Sequence, residues 1–169
     1  DRMVHHFFAV HQMDKVRVAA ALANGVDRTL IFVHTKRGAE RLVKELRDEG
    51  VDVGSIHGNL RQNERTRSLA RFAKGEQSVL VATNVAARGI HIDDIDLVVH
   101  YDPPENHKAY LHRSGRTARA GEAGIAVTLV LWNQELEVRR LQKRLGIEQP
   151  IVEVMSNDPR LGALTDWAE

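Results

Sequence analysis

Cysteine is absent from this chain of 169 residues. Disulfides, thiolate metal sites and cysteine nucleophiles are thereby excluded, and a reducing cytoplasm is the expected compartment. No apolar run approaches the ~18 residues that a membrane-spanning helix needs, so no membrane partner is expected. The opening DRMVHHFFAV lacks a basic start, a long apolar region and a small-residue cleavage site, so it does not read as a signal peptide. It also lacks an initiator methionine, and the chain is expected to be a piece of something longer. There is no G-x-x-x-x-G-K-[ST], hence no nucleotide-binding P-loop in this chain, and no G-x-G-x-x-G follows a strand. Nine histidines are present, but neither H-E-x-x-H nor a thiolate accompanies them, and no metal site is expected.

The composition that remains is that of an ordinary globular domain, with 43% hydrophobic and 28% charged residues. The length suggests about one domain, large enough to bury a core without staples. The net charge of +1 hides an uneven distribution. Residues 148–169 carry five acids and one base, so residues 1–147 carry +5. Bases concentrate in residues 57–75, with five against one acid, and in residues 105–121, with four against one. Of the cations 18 are arginine and 6 lysine, and arginine offers planar, forked donors suited to phosphate. Clustering of this kind points to a polyanionic partner.

Apolar β-rich runs alternate with helical patterns. Strands are expected at Phe7–Val10, Thr29–His34, Asp52–His57, Ser78–Ala82, Leu97–Tyr101 and Ala126–Leu131. Helices are expected at Asp14–Asn24, Arg37–Glu49, Arg61–Lys74, His107–Arg119 and Gln134–Leu145, with the Asp14 carboxylate capping the first and Gly50, Gly75 and Gly146 closing others. LIFVH, VLVAT and LVVHY are nearly continuous apolar runs, as in parallel strands covered on both faces. The pattern predicts an α/β fold, an open and mostly parallel sheet with helices on both faces, over residues 1–147. Past Gly146 the pattern weakens, and residues 148–169 read as a C-terminal extension beyond the core.

Ligands of such sheets gather beyond the carboxyl ends of the strands. Four polar segments are expected there: HTKRG, HGNLRQNER, TNVAARG and the helix bearing HRSGRTAR. On one continuous helix His112, Arg116 and Arg119 would share a face. Two guanidiniums so placed can stabilise charge on a transferring phosphoryl group; a solvated basic face is the alternative. Gly115 inside that helix would cost about 1 kcal/mol against alanine, which argues for a close approach. In HGNLRQNERTRSLARFAKG, Asn59 can cap, while Gln62 and Arg65 lie one turn apart near a helix start, where anions bind well. No aromatic is interleaved, so backbone contacts with little sequence information are expected. The same helix can equally be amphipathic, with Leu69 and Phe72 in the core. Thr83 ends a strand before a small-residue loop with Gly89, and Thr35 and Lys36 either bind phosphate or simply begin a helix. Asp93, Asp94 and Asp96 read as a solvated turn, and His57 and His100 as structural.

Taken together, LIFVHTK, HGNLRQNERTRSLARFAKG, VLVATNVAARGI and YLHRSGRTARAG resemble, in order and spacing, motifs of the second RecA-like domain of DEAD-box ATP-dependent RNA helicases. The resemblance covers about residues 3–147. It implies a RecA-like fold and ATP with Mg2+ held mainly by an N-terminal RecA-like domain that carries the nucleotide-binding loop and the D-E-A-D motif. It implies that Arg116 and Arg119 reach the ATP γ-phosphate across the interdomain cleft, Arg119 as the finger, and that His112 couples to the D-E-A-D motif. By the same resemblance Thr35, Lys36, Gln62, Arg65 and Thr83 hold the RNA sugar–phosphate backbone, and Arg88 and Gly89 face the cleft. Three positions depart from the family pattern. His91 stands where an aspartate contacts the ATP ribose, Asn84 replaces the aspartate of T-D, and Ala118 replaces a glycine. Against the helicase stand two other readings: a catalytically degenerate RNA-binding or scaffold module, supported by His91 and Asn84, and a superfamily 2 DNA helicase domain. The fragment alone is expected to be inactive.

Overall fold

The computed structural model describes residues 3–56, 61–84, 95–117 and 124–164. Seven strands form one sheet in the order β3-β4-β2-β5-β6-β1-β7, and every pairing among them is parallel. They are β1 Met3–Ala9, β2 Thr29–Val33, β3 Val53–Ile56, β4 Val79–Thr83, β5 Leu97–His100, β6 Gly124–Val130 and β7 Ile151–Glu153. The helices are α1 Lys15–Asn24, α2 Lys36–Asp48, α3 Gln62–Ala73, α4 His107–Ser114 and α5 Glu135–Leu145. Successive strand residues point to opposite faces, and both faces are covered. Ile31, Val33, Val79, Val81, Leu97 and Val99 pack with Leu22 of α1 and Leu42 and Leu46 of α2. On the other face Leu30, Phe32, Leu80 and Val98 meet Phe72 of α3, and Phe7 and Val130 meet Tyr110 of α4 and Val138 of α5. This double burial is why the strands read as unbroken apolar runs. Gly50, Gly75 and Gly146 have positive φ at helix ends, as expected.

Three expectations are corrected. The segment past Gly146 closes the core instead of leaving it. β7 pairs with β1, with Phe7 opposite Ile151, while Val154, Leu161 and Leu164 are buried in the core. Its strand is only 3 residues long, too short for a period to show. The Asp14 carboxylate does not cap α1. It accepts from the Ser156 backbone N–H at 2.7 Å and the Ser156 hydroxyl at 2.6 Å, fastening this tail to the helix start. The tail also passes close to the far end of α1, where a Cβ on Gly25 would lie 2.8 Å from the Gly162 Cα. Finally, the helix expected to run to Arg119 ends at Ser114.

Candidate functional site: a strand-end edge and a helix folded back beside it

β2 ends at Val33, beside Thr83, the last residue of β4. Two residues on, the exposed Thr35 caps α2, its hydroxyl oxygen accepting from the Gly38 N–H at 3.0 Å. A Cβ on Gly38 would lie 3.0 Å from that same oxygen, so glycine keeps the cap open. Lys36 is exposed in the first turn of α2. Thr83 itself is buried. On the neighbouring strand β3 gives way, through residues 57–60, to α3, whose N-cap position is Arg61 with no side-chain cap bond. Gln62 opens α3 exposed, and Arg65 follows one turn later, half-buried. Phe72 is buried and Leu69 half-buried against the core, so α3 is the amphipathic helix its sequence allows and carries its polar residues at the strand-end edge. Thr35, Lys36, Thr83, Gln62 and Arg65 therefore belong to one edge. His57, Asn59, Arg88, Gly89, His91, Ala118 and Arg119 lie outside the described residues.

The HRSGRTAR segment does not share that edge throughout. Asn106 caps α4, its side-chain oxygen accepting from the Ala109 N–H at 2.9 Å. The helix then runs back along the sheet for about 12 Å. Gly115 is its C-cap residue, which accounts for a glycine that a continuous helix would disfavour. Just beyond, the buried Thr117 hydroxyl donates to the Ile95 carbonyl at 2.8 Å and accepts from the Ile125 N–H at 3.4 Å. Those residues enter β5 and β6, so the half-buried Arg116 lies towards the amino ends of the strands. His112 is exposed in the last turn of α4. The expected shared helical face of His112, Arg116 and Arg119 is thus corrected, because α4 stops before Arg116. The expectation that all four segments meet at the carboxyl edge is corrected for the same reason.

Between edge and helix sits a buried polar hub that the sequence reading did not single out. Arg113, at 1% exposure, donates from Nε to the Asn84 side-chain oxygen at 2.6 Å and from Nη1 to the Asp102 carbonyl at 3.0 Å. Its guanidinium lies 5.2 Å from the Phe32 ring centroid. Nη1 also approaches His100 Nδ1 at 3.4 Å. His100 Nε2 pairs with the Ser114 hydroxyl at 2.9 Å, and its ring stacks on Tyr110 with centroids 4.7 Å apart. Tyr110 reaches His5 Nδ1 at 2.6 Å. Burial pulls the Arg113 pKa down to about 10, against the opposing pull of Asp102 and Glu105. Burial first, then the charges of Arg113 and His5, push His100 well below the usual histidine range, so it is neutral at physiological pH. His100 is the structural residue its strand position suggested. The available signal for Arg113 was its place beside Ser114 on the helix flank that meets β5.

Further along the edge, Lys15 is buried, 3.5 Å from an Asp102 carboxylate oxygen and 4.0 Å from the Tyr101 ring centroid. The other Asp102 oxygen accepts from the His34 N–H at 2.9 Å, joining the ends of β2 and β5. Asp96, read as part of a solvated turn, accepts from the Arg28 backbone N–H at 2.9 Å. Among the described residues no group of three metal-ligating side chains is placed to hold an ion, and no helix is long and apolar enough to cross a membrane.

A parallel sheet with a polar strand-end edge and an arginine-bearing turn beside it is the architecture of a RecA-like helicase domain. Residues 12–121 match the family described as "Helicase conserved C-terminal domain", and the chain belongs to it. Within that family it is a C-terminal domain of the DEAD-box group. It is 39% identical over 167 residues to ATP-dependent RNA helicase DBP2 of Gibberella zeae, covering 99% of this chain and 27% of that protein. It superposes on the Escherichia coli DEAD-box protein SrmB, solved bound to the regulator of ribonuclease activity A, with a TM-score of 0.78 and 32% identity, covering 90% of this chain and 91% of that one. Saccharomyces cerevisiae Dbp5 bound to RNA and ADP BeF3 gives a TM-score of 0.81 at 32% identity, covering 97% of this chain and 44% of that one. The chain spans about a quarter of the length of the RNA helicases it matches.

Proposed function

We propose that this chain is the C-terminal half of an ATP-dependent RNA helicase acting in the cytoplasm. Thr35, Lys36, Gln62, Arg65 and Thr83 hold the RNA backbone at the strand-end edge. His112, Arg116 and Arg119 face ATP and Mg2+ carried by an N-terminal RecA-like domain, with Arg88, Gly89 and His91 lining the nucleotide side of the cleft. Closure of the two domains around ATP and one RNA strand bends the strand and separates a short duplex. The observation that carries this reading is the segregation of Thr35, Lys36, Gln62, Arg65 and Thr83, at the carboxyl edge, from His112 and Arg116, on a helix and turn running towards the amino ends. That separation lets one domain grip a strand and sense a nucleotide at different places. The bond from Arg113 to Asn84 favours the enzyme over the degenerate module, since the exchanged position still ties the strand end to α4.

The test compares Arg119→Ala and Arg65→Ala in the full-length protein. Loss of a finger acts on charge developing in the transition state, so Arg119→Ala lowers ATP turnover on the order of 10³-fold while nucleotide-free RNA binding persists. Arg65→Ala weakens RNA binding and lowers turnover only at limiting RNA. Saturating RNA restores Arg65→Ala and leaves Arg119→Ala impaired. An identical response of both variants to RNA concentration sinks the division of roles.

A further inference from the structure

The strand-end edge does not stop at Thr35. Across β5 lies β6, two strand spacings or about 10 Å away, and its end turns directly into Trp132, which is 87% exposed. The next two strand ends, those of β1 and β7, lead to Met13 at 96% and Met155 at 49% exposure. Met13 and Met155 immediately precede the hydrogen-bonded pair Asp14 and Ser156. These apolar side chains are not scattered: they occupy consecutive strand ends on one edge. Isolated exposed apolar residues need no explanation, but a row of them does.

The surroundings indicate the occupant. Between the start of α2 and the Trp132 turn is a cavity of about 360 Å³, walled by Lys15, Arg41, Glu45, Tyr101, Asp102 and Gln134, its two cations balanced by two carboxylates. This wall is polar, so a wholly apolar partner helix does not fit across it. Lys36, Arg37 and Arg41 put three cations against one acid, Glu40, on the first turns of α2. The residues beside the exposed apolar ones, Gln12 and Asn133, carry amides that can meet base edges. Single-stranded nucleic acid is gripped by this combination: cations along the backbone and an aromatic face for the bases.

We propose that Trp132 is a nucleobase-stacking platform that extends the single-strand RNA track beyond Thr35, with Met13 and Met155 completing the apolar floor. The inference rests on the RNA-gripping role proposed above for the same edge. It adds base contact, sensitive to the presence of a base and indifferent to its identity, to a grip otherwise made of backbone contacts.

The test uses the full-length protein and labelled oligouridylates lengthened one nucleotide at a time from either end, with Trp132→Ala, Trp132→Phe and Arg65→Ala. Trp132→Ala should bind the shortest oligomers like the parent and lose roughly 5- to 150-fold on those long enough to reach it. The loss should appear for extension at one end only, and Trp132→Phe should retain most of the affinity. An abasic nucleotide at the reaching position should weaken the parent by a similar factor and leave Trp132→Ala unaffected. If Trp132→Ala matches the parent at every length while Arg65→Ala is weakened, the platform is refuted and the patch belongs to a protein partner. If neither variant changes RNA binding, the edge itself has been misassigned. Trp132 is too exposed for its truncation to endanger folding.

Discussion

Replacing Asn84 with aspartate should stabilise this domain, although it places a carboxylate in a partly buried position. Arg113 Nε already meets the Asn84 side-chain oxygen at 2.6 Å, while Arg113 Nη2, on the same side of the guanidinium, meets no partner among the described residues. The Asn84 amide nitrogen cannot serve it, because both are donors. A carboxylate offers acceptors to both arms in the side-on fork that guanidinium favours. A hydrogen bond between neutral groups contributes about 0.5–1.5 kcal/mol net, and one to a charged group about 1.5–3. The guanidinium has already left water, so the new cost is the desolvation of the half-exposed carboxylate alone. The balance is a gain of about 1–2 kcal/mol, or about 2–8 °C in Tm for a domain of this length. Thermal unfolding of the parent and Asn84→Asp at neutral pH measures it. The carboxylate beside Arg113 has a folded-state pKa below its unfolded value near 3.9. The gain is therefore present above pH ~4 and fades as pH falls through the lower folded value. An unchanged or lower Tm at neutral pH, or a gain that persists in strong acid, refutes the reasoning.

Asp14→Asn should cost about 1–3 kcal/mol, since the Ser156 N–H and hydroxyl lose a charged acceptor. Urea unfolding gives the loss, and faster amide exchange confined to residues 151–164 would tie it to the tail; an unaltered tail contradicts the fastening role. The second expectation concerns acid. Burial is the first cause of the lowered pKa values of His5, His6 and His100. Each takes up its proton at a lower pH when folded than when unfolded, so stability is held above pH ~6.5 and falls below it, with a slope of at most about 1.4 kcal/mol per pH unit for His100 until the folded form is itself protonated. Urea midpoints measured across that range should decline with acid and decline less steeply in His100→Gln; equal slopes would remove His100 from the account.

The strands were legible because they are buried on both faces, which leaves a run such as LIFV with no polar interruption. α2 was legible because Leu42, Val43 and Leu46 fall on one side. Side-chain spacing carries no mark of where a helix ends, and two departures follow from that. Gly115 terminates α4 instead of lying inside it, so His112 and Arg116 do not share a helical face. β7 has no signature in the sequence because three residues between a proline and a turn carry no period, and its strand status comes from β1 alone. Asp14 shows the limit of local chemistry. Its cap-like position is real, but its acceptor is used by Ser156, 142 residues away. The Arg113 hub needs contacts among β4, β5 and α4, and a single sequence offers no measure of these.

The Thr35 cap has a consequence for the polarity of the edge. Because the Gly38 N–H occupies one lone pair of the hydroxyl oxygen, the hydroxyl proton remains available to point outwards as a donor. The helix start thus fixes the oxygen and leaves a small directional positive pole, added to the amide N–H groups of the first turn. Aspartate would cap the same helix as well as threonine does, yet it would turn the pole negative. What helix stability tolerates at position 35 is therefore wider than what an anion tolerates there. If Thr35 grips the RNA backbone as proposed, the outward side of the bond, not the inward one, is what calls for threonine.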